Sequence, residues 1–121
     1  LKGFRFNFQN NLRVLAIAFA MLIFIFSLVQ IDTSEISIFN DKILHFLAYF
    51  CLANFVLKAS ETTKVSYLLI IIFSMGVLIE IIQGNLGLRY FEYMDIIANS
   101  LGILAGFLIY IMRNKTLKKI S

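Results

Sequence analysis

The stretch VSYLLIIIFSMGVLIEIIQ, residues 65–83, decides the fold, because its nineteen residues include a single charged side chain, Glu80. A helix needs about 20 such residues to cross a hydrocarbon core of about 30 Å. Three further apolar stretches lie outward from it, at 14–31, 43–57 and 96–112. The shortest of these still reaches about 27 Å when it is extended to residues 41–58, at about 1.5 Å per residue. We therefore predict four membrane-spanning helices, at about 14–31, 41–58, 65–83 and 95–112.

Composition supports a lipid environment for the whole chain. Of its 121 residues, 60% are apolar and 15% are charged, whereas soluble domains average about 45–50% apolar and about 25% charged residues. The basic residues form no continuous patch of the kind that binds nucleic acid. Cys51 is the only cysteine, so this chain can form neither an intramolecular disulfide nor a thiolate zinc site. We expect a single all-α domain, residues 1–121, folded as an integral membrane four-helix bundle.

Basic residues predict which side the helix ends face, because Lys and Arg near span ends are retained in the cytoplasm. Nine of the eleven lie on one side of a four-span arrangement, namely Lys2, Arg5, Arg13, Lys58, Lys64, Arg113, Lys115, Lys118 and Lys119. The other side holds Lys42 and Arg89 with six of the seven acidic residues. We therefore predict that the N- and C-termini are both cytoplasmic. The alternative is a re-entrant second segment, which leaves three spans and places the termini on opposite sides.

Polar residues cluster near the outer ends of three spans, although a charged side chain near mid-membrane costs about 2.5–3.5 kcal/mol. Residues at steps of three or four share one helix face. The three faces are Asp41, His45 and Tyr49 in the second span, Glu80 and Gln83 in the third, and Asp95, Asn99, Gly102 and Gly106 in the fourth. These faces predict one outward-opening pocket, with Arg89 supplied by the connecting loop. The alternative is that the polar groups only pair with one another and hold the helices together.

Individual side chains suggest different roles. Glu80 lies between isoleucines, so its desolvated carboxyl suits a proton donor or acceptor, and His45 is a candidate general base. Arg89 is a natural clamp for phosphate or carboxylate. The Gly102 and Gly106 pair predicts close helix packing. A metal held by His45, Glu80 and Asp95 is conceivable, but no paired-histidine or cysteine spacing supports it, so we expect no metal and no cofactor.

The ordered series of these residues resembles the VanZ-like family, small bacterial membrane proteins named for a member associated with teicoplanin resistance. One part of the resemblance is Asp41-Lys42-x-x-His45-Phe46-x-x-Tyr49. The other part is Glu80-x-x-Gln83, followed by Arg89, Asp95, Asn99, Gly102 and Gly106. The resemblance implies a protein of the bacterial cell membrane that acts at the cell envelope, on the extracytoplasmic side. It implies no particular reaction.

Three functions remain open at this point. The first is binding of an envelope lipid, a lipid-linked wall precursor or an acylated glycopeptide. The second is an intramembrane hydrolase or transferase that uses Glu80 or His45 on an envelope lipid. The third is a helical subunit that docks onto another membrane protein or a second copy. The predicted ligand-binding residues are Asp41, Lys42, His45, Tyr49, Glu80, Gln83, Arg89, Asp95 and Asn99.

Overall fold

The structure, a computed structural model, describes the backbone of residues 2–28, 38–60, 64–87 and 92–120, and side chains within 10–28, 40–60, 64–87 and 92–115. Four helices make up nearly all of these segments: α1 (Lys2–Leu28), α2 (Ile38–Ala59), α3 (Val65–Asn85) and α4 (Tyr93–Ile120). No strand occurs in the described segments. The all-α prediction is therefore confirmed.

Each helix contains a segment that is long and apolar enough to cross a membrane, namely Asn10–Leu28, Asn40–Ala59, Val65–Asn85 and Tyr93–Lys115. The absence of proline from the chain allows these runs to stay helical without a forced break. The segment in α2 has 20 residues, which favours a full span over the re-entrant alternative. The predicted four-helix arrangement is thus confirmed.

The end of α3 has a local cause. Leu86 N–H donates to the Ile82 carbonyl at 2.9 Å, and Gly87 N–H donates to the Gly84 carbonyl at 3.3 Å. Gly87 has a φ of 70°, a left-handed conformation that glycine adopts without a steric penalty. Such a residue closes the last helical turn and redirects the chain. The loop leading to α4 therefore begins at Gly87.

Contacts at the two ends of the bundle show that the helices alternate in direction. Arg13 Nε, in the first half of α1, donates to the Ala59 carbonyl at the end of α2, at 3.4 Å. At the opposite end, Gln83 Nε2 near the end of α3 donates to the Ser27 carbonyl near the end of α1. Lys42, at the start of α2, meets Asp95 at the start of α4. We call the end that holds Ser27, Lys42, Gln83 and Asp95 the polar end.

The closest helix pair is α2 with α4. A Cβ built on Gly102 would clash with the Phe46 carbonyl oxygen, and one on Gly106 would lie 2.8 Å from the Ala53 Cβ. Glycine at these two positions therefore lets the backbones approach each other, as small residues do between membrane helices. Ala53 of the same interface is fully buried, as is the adjacent Leu52. This close approach fixes the separation of side chains that α2 and α4 direct at one another.

Candidate functional site

A lysine at the start of α2 is surrounded by three carboxylates. Lys42 Nζ forms ion pairs with Asp95 Oδ1 and Glu92 Oε2, and lies 3.3 Å from Asp41 Oδ2. Asp95 is completely buried, and 18% of the Lys42 side chain is exposed. A buried carboxylate is tolerated when an ammonium group neutralises it and hydrogen-bonds to it. Lys42 thus ties α2 to α4 and to the residue before α4.

One helical turn further into the bundle, His45 contacts both helices of the same pair. Its Nδ1 lies 3.1 Å from Asn99 Oδ1. Its Nε2 lies 3.8 Å from Asp41 Oδ1 and 3.7 Å from Asp95 Oδ2. An amide oxygen can only accept, so Nδ1 carries the proton in this contact. The imidazole is therefore held in one orientation, with Nε2 facing two carboxylates.

The buried carboxylate of α3 connects to the start of α4. Glu80 is 1% exposed, and its Oε1 accepts a hydrogen bond of 3.0 Å from the Glu92 backbone N–H. One turn earlier in α3, a Cβ on Gly76 would lie 3.2 Å from both the Tyr49 hydroxyl oxygen and Asn99 Nδ2. Gly76 therefore leaves room for side chains of α2 and α4 beside α3. Three helices meet at this level of the polar end.

The remaining predicted polar residue of α3, Gln83, turns toward α1. Its Nε2 donates to the Ser27 carbonyl at 2.6 Å, and the residue is 3% exposed. Its Oε1 is buried and has no hydrogen-bond partner among the described residues. An unsatisfied buried carbonyl costs about 1–3 kcal/mol. Gln83 therefore offers an acceptor at the polar end.

Carboxylates outnumber ammonium groups in the described part of this end. Asp41, Glu92 and Asp95 contact one described lysine, Lys42, and Glu80 contacts the Glu92 backbone. Asp41 and Asp95 each lie in the first turn of their helix, where the helix dipole favours negative charge. That placement offsets part of the excess. The described polar end thus combines carboxylates, an ammonium group and an imidazole.

The structure brings most of the predicted site residues together. Asp41, Lys42, His45, Asp95 and Asn99 form one connected group between α2 and α4. Tyr49 and Glu80 lie beside that group, whereas Gln83 turns to α1. The predicted pocket residue Arg89 lies outside the described residues.

Three contributors were missed as site residues. Glu92 precedes Asp95 by three residues and so shares its helix-end face, and Gly76 precedes Glu80 by four, on the same stripe of α3. These spacings were available in the sequence. Ser27 contributes only a backbone carbonyl, which every residue carries, so no signal in the sequence could have identified it.

The comparisons with known proteins agree with these motifs. The model of the VanZ/LLP1 family matches residues 4–114, which include all four helices in whole or large part. No curated protein and no solved structure matches the chain. The matched region extends well beyond the residues that carried the resemblance. This multi-pass membrane protein therefore belongs to the VanZ/LLP1 family.

Proposed function

We propose that this protein binds the headgroup of an envelope lipid, a lipid-linked wall precursor or an acylated glycopeptide at the polar end of its bundle. The polar end faces the outside of the bacterial cell membrane, both termini are cytoplasmic, and binding contributes to teicoplanin-type resistance. The observation that carries the proposal is the group of buried polar side chains shared by α2, α3 and α4. Simple cohesion of four apolar helices needs no such group, because small-residue packing supplies it.

Two further features support a ligand rather than cohesion alone. The acceptor Gln83 Oε1 is buried without a hydrogen-bond partner among the described residues. Cohesion does not require such an atom, whereas a ligand donor would satisfy it. Lys42 and the three carboxylates beside it likewise place charged donors and acceptors at the same end of the bundle. The polar end therefore has chemistry to offer a headgroup.

An apolar groove supports a ligand with an acyl chain. It has a volume of about 240 Å³, and its lining comes from α3 and α4, with Leu69, Ile70 and Phe73 on one side and Ser100, Ile103, Leu104 and Phe107 on the other. Phe73 precedes Glu80 by seven residues, which is about 10 Å along a helix. A chain lying in the groove can thus leave its headgroup at the polar end.

The test is native mass spectrometry of the full chain purified from membranes, with lipids identified after release. The decisive pair is Arg89→Ala and Arg113→Ala, since both remove one arginine, from opposite predicted sides of the membrane. We expect one discrete amphiphile on the wild type and on Arg113→Ala, and its loss from Arg89→Ala and from Glu80→Gln. Equal, heterogeneous lipid on all four proteins contradicts the proposal and favours docking of the polar face onto a partner protein or a second copy.

Orientation has its own test, because an inward-facing polar end would remove the envelope ligand. In a Cys51→Ala background, a cysteine at Glu35 should react with an impermeant thiol reagent in intact cells, and one at Thr62 should not. Both positions lie outside the described residues and are chosen from the sequence. Labelling at Thr62 alone would place the polar end in the cytoplasm.

Hydrolysis or group transfer on the same lipid is the second candidate function. It is favoured by the contacts of His45, whose imidazole is oriented by Asn99 and flanked by two carboxylates as a general base would be. In that case His45→Ala and Glu80→Gln should each abolish product formation from a labelled envelope-lipid extract, while the bound lipid and the melting temperature persist. Lipid that is retained but never converted by the wild type restricts the function to binding.

A further inference from the structure

The two aspartates of the polar end divide their oxygens between two positions. Asp41 Oδ2 and Asp95 Oδ1 contact Lys42. The second oxygen of each carboxylate, Asp41 Oδ1 and Asp95 Oδ2, faces His45 Nε2 at 3.8 Å and 3.7 Å. Lys42 therefore pairs with one oxygen of each aspartate. The other oxygen of each aspartate faces the Nε2 atom of His45.

A neutral imidazole carries no positive charge to pair with Asp41 Oδ1 and Asp95 Oδ2. Since Nδ1 donates to Asn99 Oδ1, the Nε2 of a neutral ring carries a lone pair. Three electron-rich atoms then face one another, and the separations of 3.7 and 3.8 Å exceed hydrogen-bond length. A divalent cation placed between these atoms would accept the Nε2 lone pair and one oxygen of each carboxylate.

We propose that Asp41, His45 and Asp95 bind a divalent transition-metal ion. The ligand atoms of the three residues all lie within 4.8 Å of one another. Zinc binds imidazole nitrogen and carboxylate oxygen at about 2.0–2.2 Å, so two ligand atoms on one ion are separated by up to about 4.2 Å. The separations from Nε2 already meet that limit, and small carboxylate rotations bring the third within it. One imidazole with two carboxylates suits Zn²⁺ or Mn²⁺.

Asn99 completes the arrangement as the residue that orients the ligand. Histidines that bind metals nearly always donate their other ring N–H to an acceptor, which fixes the tautomer and directs the lone pair. The Nδ1 contact to Asn99 Oδ1 has this form. Asn99 is 4% exposed, so water competes little for the contact. From the sequence a site of His45, Glu80 and Asp95 was conceivable, although no metal was expected. In the structure Glu80 binds the Glu92 backbone, and Asp41 is the second carboxylate beside His45.

Metal binding at this position is independent of the proposed lipid ligand, because it involves only side chains of this chain. Three protein ligands are typical of zinc sites that keep a further position for water or a bound molecule. The site therefore remains compatible with a headgroup oxygen as a fourth ligand. Metal affinity can be measured in the absence of lipid.

Metal binding is tested on the full chain in detergent, purified with a tag that contains no histidine and stripped with a chelator. His45 is the only histidine, so ¹⁵N-histidine labelling reports a single imidazole. We expect the wild type to bind one Zn²⁺ per chain, with the Nε2 resonance moving and Nδ1 staying protonated. Asn99→Ala should weaken binding by about 10- to 100-fold, and His45→Gln and Asp41→Asn should weaken it at least as much.

Glu61→Gln is the matched control, because it also turns a carboxylate into an amide, in the connection between α2 and α3, away from the polar end. Its zinc affinity should equal that of the wild type.

The proposal fails if the wild type binds neither Zn²⁺ nor Mn²⁺, or if zinc binds without moving the His45 resonances. It also fails if both ring nitrogens are protonated and zinc has no effect, since the imidazolium then supplies the charge. These readouts use the wild type, so they stand even where a variant fails to fold. If the wild type binds zinc but carries no discrete lipid, only the proposed function is contradicted.

Discussion

Two helix pairs in this bundle are held together in different ways. Between α2 and α4, glycines bring the backbones into contact and charged side chains pair across the interface. Between α1 and α3, the polar link seen among the described side chains is the hydrogen bond from Gln83 to the Ser27 carbonyl. Lipid is as apolar as leucine, so membrane helices associate through close packing and polar contacts. The α2–α4 pair combines both, and the predicted site lies on it.

The largest expected effect comes from removing the cation of the α2–α4 pair. Lys42→Met leaves the completely buried Asp95 without the ammonium that neutralises it. Loss of one partner of a buried ion pair costs about 3–5 kcal/mol. We therefore expect a fall of about that size in the free energy of unfolding, measured by titration with a denaturing detergent in mixed micelles.

The matched control for this change is Lys115→Met, which removes an exposed lysine from the far part of α4. It should leave the free energy of unfolding within about 0.5 kcal/mol of the wild type. A similar, small loss for both variants would mean that the ion pairs of Lys42 contribute little. The α2–α4 pair would then be held by packing, as its glycines suggest.

An intermediate effect is expected from the glycines. Gly102→Ala places a methyl group against the Phe46 backbone, which cannot rotate away, so α2 and α4 must separate. Overpacking of this kind costs about 1–3 kcal/mol. Gly76→Ala is the comparison variant, because its new methyl group meets the side chains of Tyr49 and Asn99 at 3.2 Å, and side chains can move. The same detergent titration should rank Gly102→Ala as the more destabilising. An equal loss for both would contradict the backbone clash as the cause.

The sequence predicted the helices and the α2–α4 group well, because both rest on local spacing. Four apolar runs specify four helices, and steps of four and three place Asp41 with His45, and Asp95 with Asn99, on single faces. Helices with short connections pack antiparallel to their neighbours. Residues at the same depth on neighbouring helices are therefore expected to meet.

The partners of individual atoms were beyond the sequence. Glu80 meets a backbone N–H, and Gln83 meets a backbone carbonyl, and backbone groups carry no sequence signal. Whether Glu80 also lies beside His45 depends on how α3 is rotated about its axis, and the structure places Asp41 there and not Glu80. That rotation is set by packing against Tyr49 and Asn99 at Gly76, which the sequence does not reveal. Spacing identifies a face, and packing decides which neighbour that face meets.

The smallest effect on stability is expected on the α1–α3 side, where it separates binding from cohesion. Gln83→Met keeps the side-chain volume, loses the hydrogen bond to the Ser27 carbonyl, and removes the buried Oε1 that has no partner among the described residues. The loss and the gain nearly cancel, so the free energy of unfolding should change by no more than about 1 kcal/mol. If Gln83 contacts the headgroup, the discrete amphiphile seen by native mass spectrometry should nevertheless be lost. A variant that keeps both its stability and its lipid would exclude Gln83 from the binding site. The headgroup would then be bound by the group between α2 and α4.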